Sequence, residues 1–239
     1  MAVSRKTLAL VALAGALAGA GAMWGGQRLA GTGTPVSDAQ ARGYVLDHPE
    51  MLPGLIDTAR ARMSAEAVAA NRKAIFAPYA GAWAGNPKGD LTIVEYFDYN
   101  CGYCRATLPI IAKLLASDPK LRIVYREWPI LSPESADAAK LSLAAAEQGK
   151  FMAFHTALYA GGPVTAASMT AAARKAGVDS AKLSAGAVRA DAELDRNMRV
   201  AREIGASGTP TWVIGSKVIS AAMPLETMQS AIAEARAGR

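Results

Sequence analysis

The stretch LTIVEYFDYNCGYC, residues 91–104, decides how this chain is read. Its first seven residues, Leu91, Thr92, Ile93, Val94, Glu95, Tyr96 and Phe97, form a β-branched and aromatic run opened by the turn former Asp90, which predicts a buried strand. A helix is predicted directly after it, over 101–116, with apolar residues at 104, 108, 111, 112 and 115 close to a helical stripe. Cys101 and Cys104, the only cysteines in the chain, therefore fall at a strand-to-helix junction. Thiol chemistry runs through the thiolate, and the free amides and positive dipole end of a helix favour an anion there. Cys101 is thus expected to be an acidified nucleophile, and Cys104, one helical turn on, to be the sulfur that resolves a mixed disulfide. Two other uses of the pair stay open. A structural disulfide across so short a loop would constrain the unfolded chain very little. Half of a zinc or copper site would need a second subunit, because His48 and His155 are far off in sequence and no third cysteine exists.

With 239 residues, 51% hydrophobic and 19% charged, the chain has the composition of a globular protein with a substantial core. Arg5 and Lys6 precede an apolar, Ala- and Gly-rich run over 8–22, which reads as a secretory signal cleaved after Ala22, with a retained anchor as the alternative. Export would place the cysteines in an oxidising compartment, where disulfides are made and repaired. The net charge of +6 includes Arg5 and Lys6, so without residues 1–22 there remain 24 basic against 20 acidic groups. So mild a surplus, with no basic cluster interleaved with aromatics, gives no argument for nucleic acid.

Residues 23–36 are rich in Gly and Thr and read as a linker. Ser37 with Gln40 forms a capping-box pattern for a short helix reaching about Asp47, stopped by His48 and Pro49. A longer helix follows with Leu52, Leu55, Ile56, Ala59 and Met63 on one face, and this helical extension over 37–75 is expected either to dock on the main domain or to mediate oligomerisation. The Gly- and Pro-containing stretch 78–90 reads as a loop. A second strand is predicted over 121–127, parallel to the first through a right-handed crossover. From 132 to 204 the pattern is helical, with breaks at Gly149, Gly161 to Pro163, and Gly177. Strand pattern returns at 211–215 and 217–220 around a tight Gly215 and Ser216 turn, and Pro224 opens a last amphipathic helix to about Ala237.

A strand ending in a CxxC helix, a helical insert, then a Gly-Thr-Pro turn entering a hairpin and a final helix resembles the thioredoxin superfamily, and the insert's place and length resemble its DsbA-like branch. The resemblance covers residues 76–239 and implies an α/β fold: a central mixed sheet flanked by helices, with an inserted helical subdomain at about 132–204. It implies that Pro109 is the kink proline of the redox helix. It also implies that Thr209 and Pro210 form a cis-proline loop that offers its backbone to extended substrates, and that Glu95, six residues before Cys101, assists proton transfer from the inner cysteine. Gly102 and Tyr103 differ from the Pro-His pair of strongly oxidising DsbA enzymes and look like the dipeptide of periplasmic disulfide isomerases. The N-terminal segment, with Tyr44, Val45, Leu46, Pro49 and Glu50, is similar to the helical extension of ScsC-like proteins, some of which oligomerise through it.

The expectation is a periplasmic thiol-disulfide oxidoreductase that needs no cofactor beyond its Cys101–Cys104 pair. It would act on cysteine-containing exported proteins and be recycled by a membrane partner of DsbB or DsbD type, and it leans to isomerase or reductase over DsbA-type oxidase. The rival from another class is a periplasmic copper carrier using both thiolates, which are soft ligands. His155 is expected to be a helix-surface or partly buried residue and not a ligand.

Overall fold

The computed structural model describes residues 36–238, with the backbone alone at 184–186. The expected signal and nearly all of the expected linker lie outside these residues. The chain divides into two compact units, Met1–Ile56 and Asp57–Arg239.

In the first unit the predicted capping box forms: the Gln40 amide donates to Ser37 Oγ at 3.3 Å and the Ser37 amide donates to Gln40 Oε1 at 3.0 Å, opening α1 (Asp38–Asp47). Pro49–Met51 make one 3-10 turn before α2 (Leu52–Ala70), within which the division falls. Leu52, Leu55, Ile56 and Met63, read as a stripe in search of a partner, are all exposed.

The second unit starts earlier than the domain boundary expected at 76. Val68 on α2 and Ile75 on α3 (Arg72–Phe76) are buried with Val94, Tyr96, Val124, Val200 and Val213 in one apolar cluster. These two side chains would otherwise face water, so the stretch from Val68 to Ile75 belongs to the core and not to a detachable extension. Next comes β1 (Trp83–Gly85), a three-residue strand inside the expected loop, then β2 (Leu91–Phe97), α4 (Gly102–Ser117) and β3 (Leu121–Glu127), close to their predicted bounds. The helical insert contains α5 (Pro133–Glu147), α6 (Phe151–Ala160), α7 (Ala166–Ala176) and α8 (Leu183–Glu203), interrupted at the expected glycines. The hairpin of β4 (Thr211–Ile214) and β5 (Lys217–Ile219) turns at Gly215, whose φ of 63° suits glycine, and α9 (Leu225–Ala237) follows with Pro224 as its N-cap.

The five strands run in the order β1-β3-β2-β4-β5, with β2 and β3 parallel and the other pairs antiparallel. Alternation along the strands sends Ile93, Glu95, Phe97, Ile123, Tyr125 and Trp212 to one face and Val94, Tyr96, Val124, Arg126 and Val213 to the other, and helices cover both. The first face carries the larger core, built with α4, α6, α7 and α9. On the second, the guanidinium of Arg126 is fully buried: it donates to Glu193 Oε1 at 2.5 Å and to the carbonyls of Ile75 and Ala77, tying β3 to α8 and to the end of α3. Among the described residues no helix is long and apolar enough to cross a membrane.

Candidate active site

At the end of β2 the chain leaves the sheet at Asp98, whose buried carboxylate accepts four hydrogen bonds. The donors are the amides of Asn100, Ile130 and Leu131 at 2.8, 2.8 and 2.9 Å, and Ser135 Oγ at 2.6 Å. Its carbonyl accepts from the Cys101 amide at 3.0 Å and from Tyr159 Oη at 3.0 Å. The turn is thereby held from three sides, and α4 starts from a fixed point.

Cys101, expected as the first residue of the helix, is instead the N-cap of α4, and its Sγ accepts from the Cys104 amide at 3.4 Å. Both cysteines are free thiols and both are nearly buried. The Cys101 thiol is held well below the ordinary 9.0, at about 5. Donation from the Cys104 thiol is the main cause; the Thr209 side chain and the amides of Cys104 and Tyr103 add to it, against an opposing effect of burial. Cys104 moves the other way, strongly up, because its proton is shared with Cys101, its sulfur is buried, and the Glu95 charge lies nearby. The pair is split as an attack-and-resolve cycle requires: an acidic outer sulfur and an inner sulfur that keeps its proton.

Glu95 points inward from β2 and is 2% exposed. Burial pushes its carboxyl up to about 8; the Thr107 hydroxyl, which donates to Glu95 Oε1 at 3.1 Å, opposes this, while the Cys101 thiolate adds to it. Across the site the Thr209–Pro210 peptide bond is cis, and the Thr209 carbonyl accepts from Cys101 Sγ at 3.2 Å. Gly102 and Tyr103 are exposed. Tyr103 forms one wall of a groove of about 320 Å³ shared with Ser207, Gly208, Thr209, Pro210 and Ser220. All seven candidate residues, Cys101, Cys104, Glu95, Thr209, Pro210, Gly102 and Tyr103, thus belong to this one site.

The expectation for His155 needs correction: it is not on a helix surface but fully buried on α6, its ring packed among Phe97, Tyr99, Tyr125 and Phe151 and its Nδ1 3.1 Å from Tyr99 Oη. Burial lowers its pKa to about 3, so the ring is neutral. The buried stripe of α4 is also shifted, to Cys104, Thr107, Ile111 and Leu114, with Ala112 exposed. Three residues of the site carried no call to attention in the sequence. Asp98 stands where an Asx turn is expected between a strand and a helix, a signal that was there to be used. Thr107 lies off the predicted apolar stripe, and Tyr159 comes from an element remote in sequence.

Compared with known families, residues 92–233 match the profile of the DSBA-like thioredoxin domain. The chain belongs to that family. A thioredoxin-like oxidoreductase from Silicibacter pomeroyi DSS-3 is 38% identical, with a TM-score of 0.65 over 70% of this chain and 98% of that one. A periplasmic thioredoxin-like protein from Salmonella enterica serovar Typhimurium is 28% identical, with a TM-score of 0.64 over 70% of this chain and 95% of that one. A linker-deletion mutant of ScsC from Proteus mirabilis, 22% identical, matches with a TM-score of 0.71 over 87% of this chain and its own full length, a likeness of fold. Among curated sequences, a Na(+)/H(+) antiporter, NhaA 1 of Salinispora arenicola, is 29% identical over 172 residues, which is 64% of this chain and 24% of the antiporter. The chain spans about a quarter of that relative's length. The DSBA-like domain of this chain keeps both cysteines, free and one helical turn apart at the start of α4.

Proposed function

We propose that this DSBA-like protein exchanges disulfides with exported proteins in the periplasm, leaning to isomerisation and reduction. The observation that carries the exchange is the Cys101 thiol, acidified to about 5 at the start of α4 and set 3.2 Å from the Thr209 carbonyl beside an open groove. The Cys101 thiolate attacks a client disulfide, forming a mixed disulfide and expelling one client thiolate. Cys104 then gives its proton to Glu95, attacks Cys101 Sγ and releases the second client sulfur, leaving Cys101 and Cys104 oxidised. Thr209 and Pro210 supply backbone to an extended client segment, and Gly102 and Tyr103 border it. A membrane partner of DsbB or DsbD type resets the pair, and a homo-oligomer through the N-terminal helices would set several such sites around a shared space. Replacing Cys101 with Ser abolishes insulin reduction and the refolding of scrambled substrates; a variant that keeps full activity removes Cys101 as the nucleophile.

A second reading, DsbA-type oxidation, draws on the same low pKa. A thiolate stabilised at pH 7 against a pKa of about 5 favours the dithiol, by about 60 mV of potential. Gly102 and Tyr103 argue for reshuffling and the acidity of Cys101 for oxidation. The equilibrium potential of the pair against glutathione separates them, a value near the DsbA end favouring the oxidase. The copper-carrier alternative would bind through the two thiolates alone, since the described residues hold no group of three or more His, Cys, Asp or Glu side chains able to take a metal. Tight stoichiometric copper binding without dithiol exchange would favour it.

A further inference from the structure

The reaction asks Glu95 to take up and return a proton inside the core, where its side chain is 2% exposed. Its side chain has one hydrogen-bond partner among the described residues, the hydroxyl of Thr107. Thr107 lies on the buried side of α4, three residues after Cys104, with 0% exposure. Its Oγ1 is 2.7 Å from the Cys104 carbonyl and 3.1 Å from Glu95 Oε1. A threonine inside a helix often donates to a carbonyl one turn back, which accounts for the first contact. It does not account for the second, to a buried carboxyl on another element.

We infer that Thr107 is a positioning residue for the proton step at Cys104, its hydroxyl serving Glu95 in both charge states. The inference rests on the reading of Glu95 as the proton acceptor. A hydroxyl has a single proton to give and lone pairs to receive with. When Glu95 is ionised, Thr107 donates to the carboxylate. When Glu95 is protonated, the acid donates to Thr107 Oγ1 and the hydroxyl turns its own proton to the Cys104 carbonyl. The proton that leaves Cys104 therefore arrives on a carboxyl whose partner reverses its bond toward Cys104's own peptide unit. Atoms and electrons balance: the Cys104 S–H bond breaks, the proton passes to Glu95, the Cys101–Cys104 S–S bond forms, and the client sulfur leaves with the electron pair. Removing the hydroxyl harms the ionised state more than the neutral one, because hydrogen bonds to charge are the stronger. Glu95 then gives up its role as a base until higher pH.

The test is a stopped-flow reaction of the reduced full chain with Ellman's reagent, which releases one coloured thiolate when Cys101 attacks and a second when Cys104 resolves. Thr107→Val is expected to leave the first phase unchanged. It should move the pH profile of the second phase about one unit alkaline and slow it about tenfold at pH 7. Thr107→Ser, which keeps the hydroxyl, restores the native profile, and Thr107→Ala behaves as the valine variant. A second-phase profile in Thr107→Val that overlays the native one, or a serine variant that behaves like valine, overturns the inference. Glu95→Gln separates the two levels of the argument. If it flattens the second-phase profile while Thr107→Val has no effect, only the inference about Thr107 falls. If it leaves the profile unchanged, the proton role of Glu95 falls and the inference with it.

Discussion

Glu95 and Cys101 sit a few bonds apart in function but pull the pH dependence of stability in opposite directions. Folding raises the Glu95 carboxyl from 4.5 to about 8, so the folded state holds that proton more tightly than the unfolded chain. Its contribution is complete below 4.5 and is lost as the pH rises toward 8. Cys101 falls from 9.0 to about 5, so in the reduced protein its contribution is present at high pH and is lost as the pH drops through 5. Glu95→Gln is therefore expected to raise the unfolding free energy at pH 8 by on the order of a few kcal/mol and to change it little at pH 4. Denaturant unfolding at the two pH values checks this, and equal effects at both contradict it. Thiolate absorbance in the reduced protein should titrate with a midpoint near 5 and disappear in Cys101→Ser.

At the level of elements, the far face of the sheet depends on Arg126. Its guanidinium joins β3 to Glu193 on α8 and to the carbonyls of Ile75 and Ala77, with both charges almost fully buried. Arg126→Met leaves Glu193 with only its bond to the half-exposed Arg196 and is expected to cost about 3–5 kcal/mol. Urea unfolding measures it, and a loss below about 1 kcal/mol would place the pair among ion pairs that contribute little. Nothing in the sequence around Arg126 announced this tie, because its partners are separated from it along the chain and their meeting is a property of the packed sheet. The strands over 91–97 and 121–127 were legible for the opposite reason: each carries a β-branched and aromatic centre, Ile93, Val94, Tyr96 and Phe97 in one and Ile123, Val124 and Tyr125 in the other, that reads as strand without any distant partner. Trp83–Gly85 was not, since three residues next to glycines carry no periodicity. Within the site, Cys101 and Cys104 could be found from their place at a strand-to-helix junction, and Glu95, Thr209 and Pro210 through the resemblance to the DsbA-like branch. Thr107 could not, because a single hydroxyl on a helix looks the same whether or not a carboxyl waits behind it.

For the whole molecule, the position of the division at Ile56 governs how it can be taken apart. Deleting residues through 56 is expected to leave the melting temperature of the redox unit nearly unchanged. Deleting through 75 removes Val68 and Ile75 from the core and should lower stability by several kcal/mol. Calorimetry of the two truncations distinguishes them, and equal losses would contradict the division. Light scattering of the full chain against the shorter truncation then tests assembly through α1 and the exposed start of α2 without disturbing the fold. The groove beside Cys101 has its own consequence at this scale. Apart from Tyr103 it is lined by Ser207, Gly208, Thr209, Pro210, Ser220, Ala221 and Ala222, with no charged side chain. Such a surface is indifferent to the identity of neighbouring residues and sensitive to whether a main chain is free to lie along it. If client segments lie there as proposed, entry is governed by how much of a client is still unfolded, and a client leaves for good when its own folding hides the segment: the clock for release belongs to the guest.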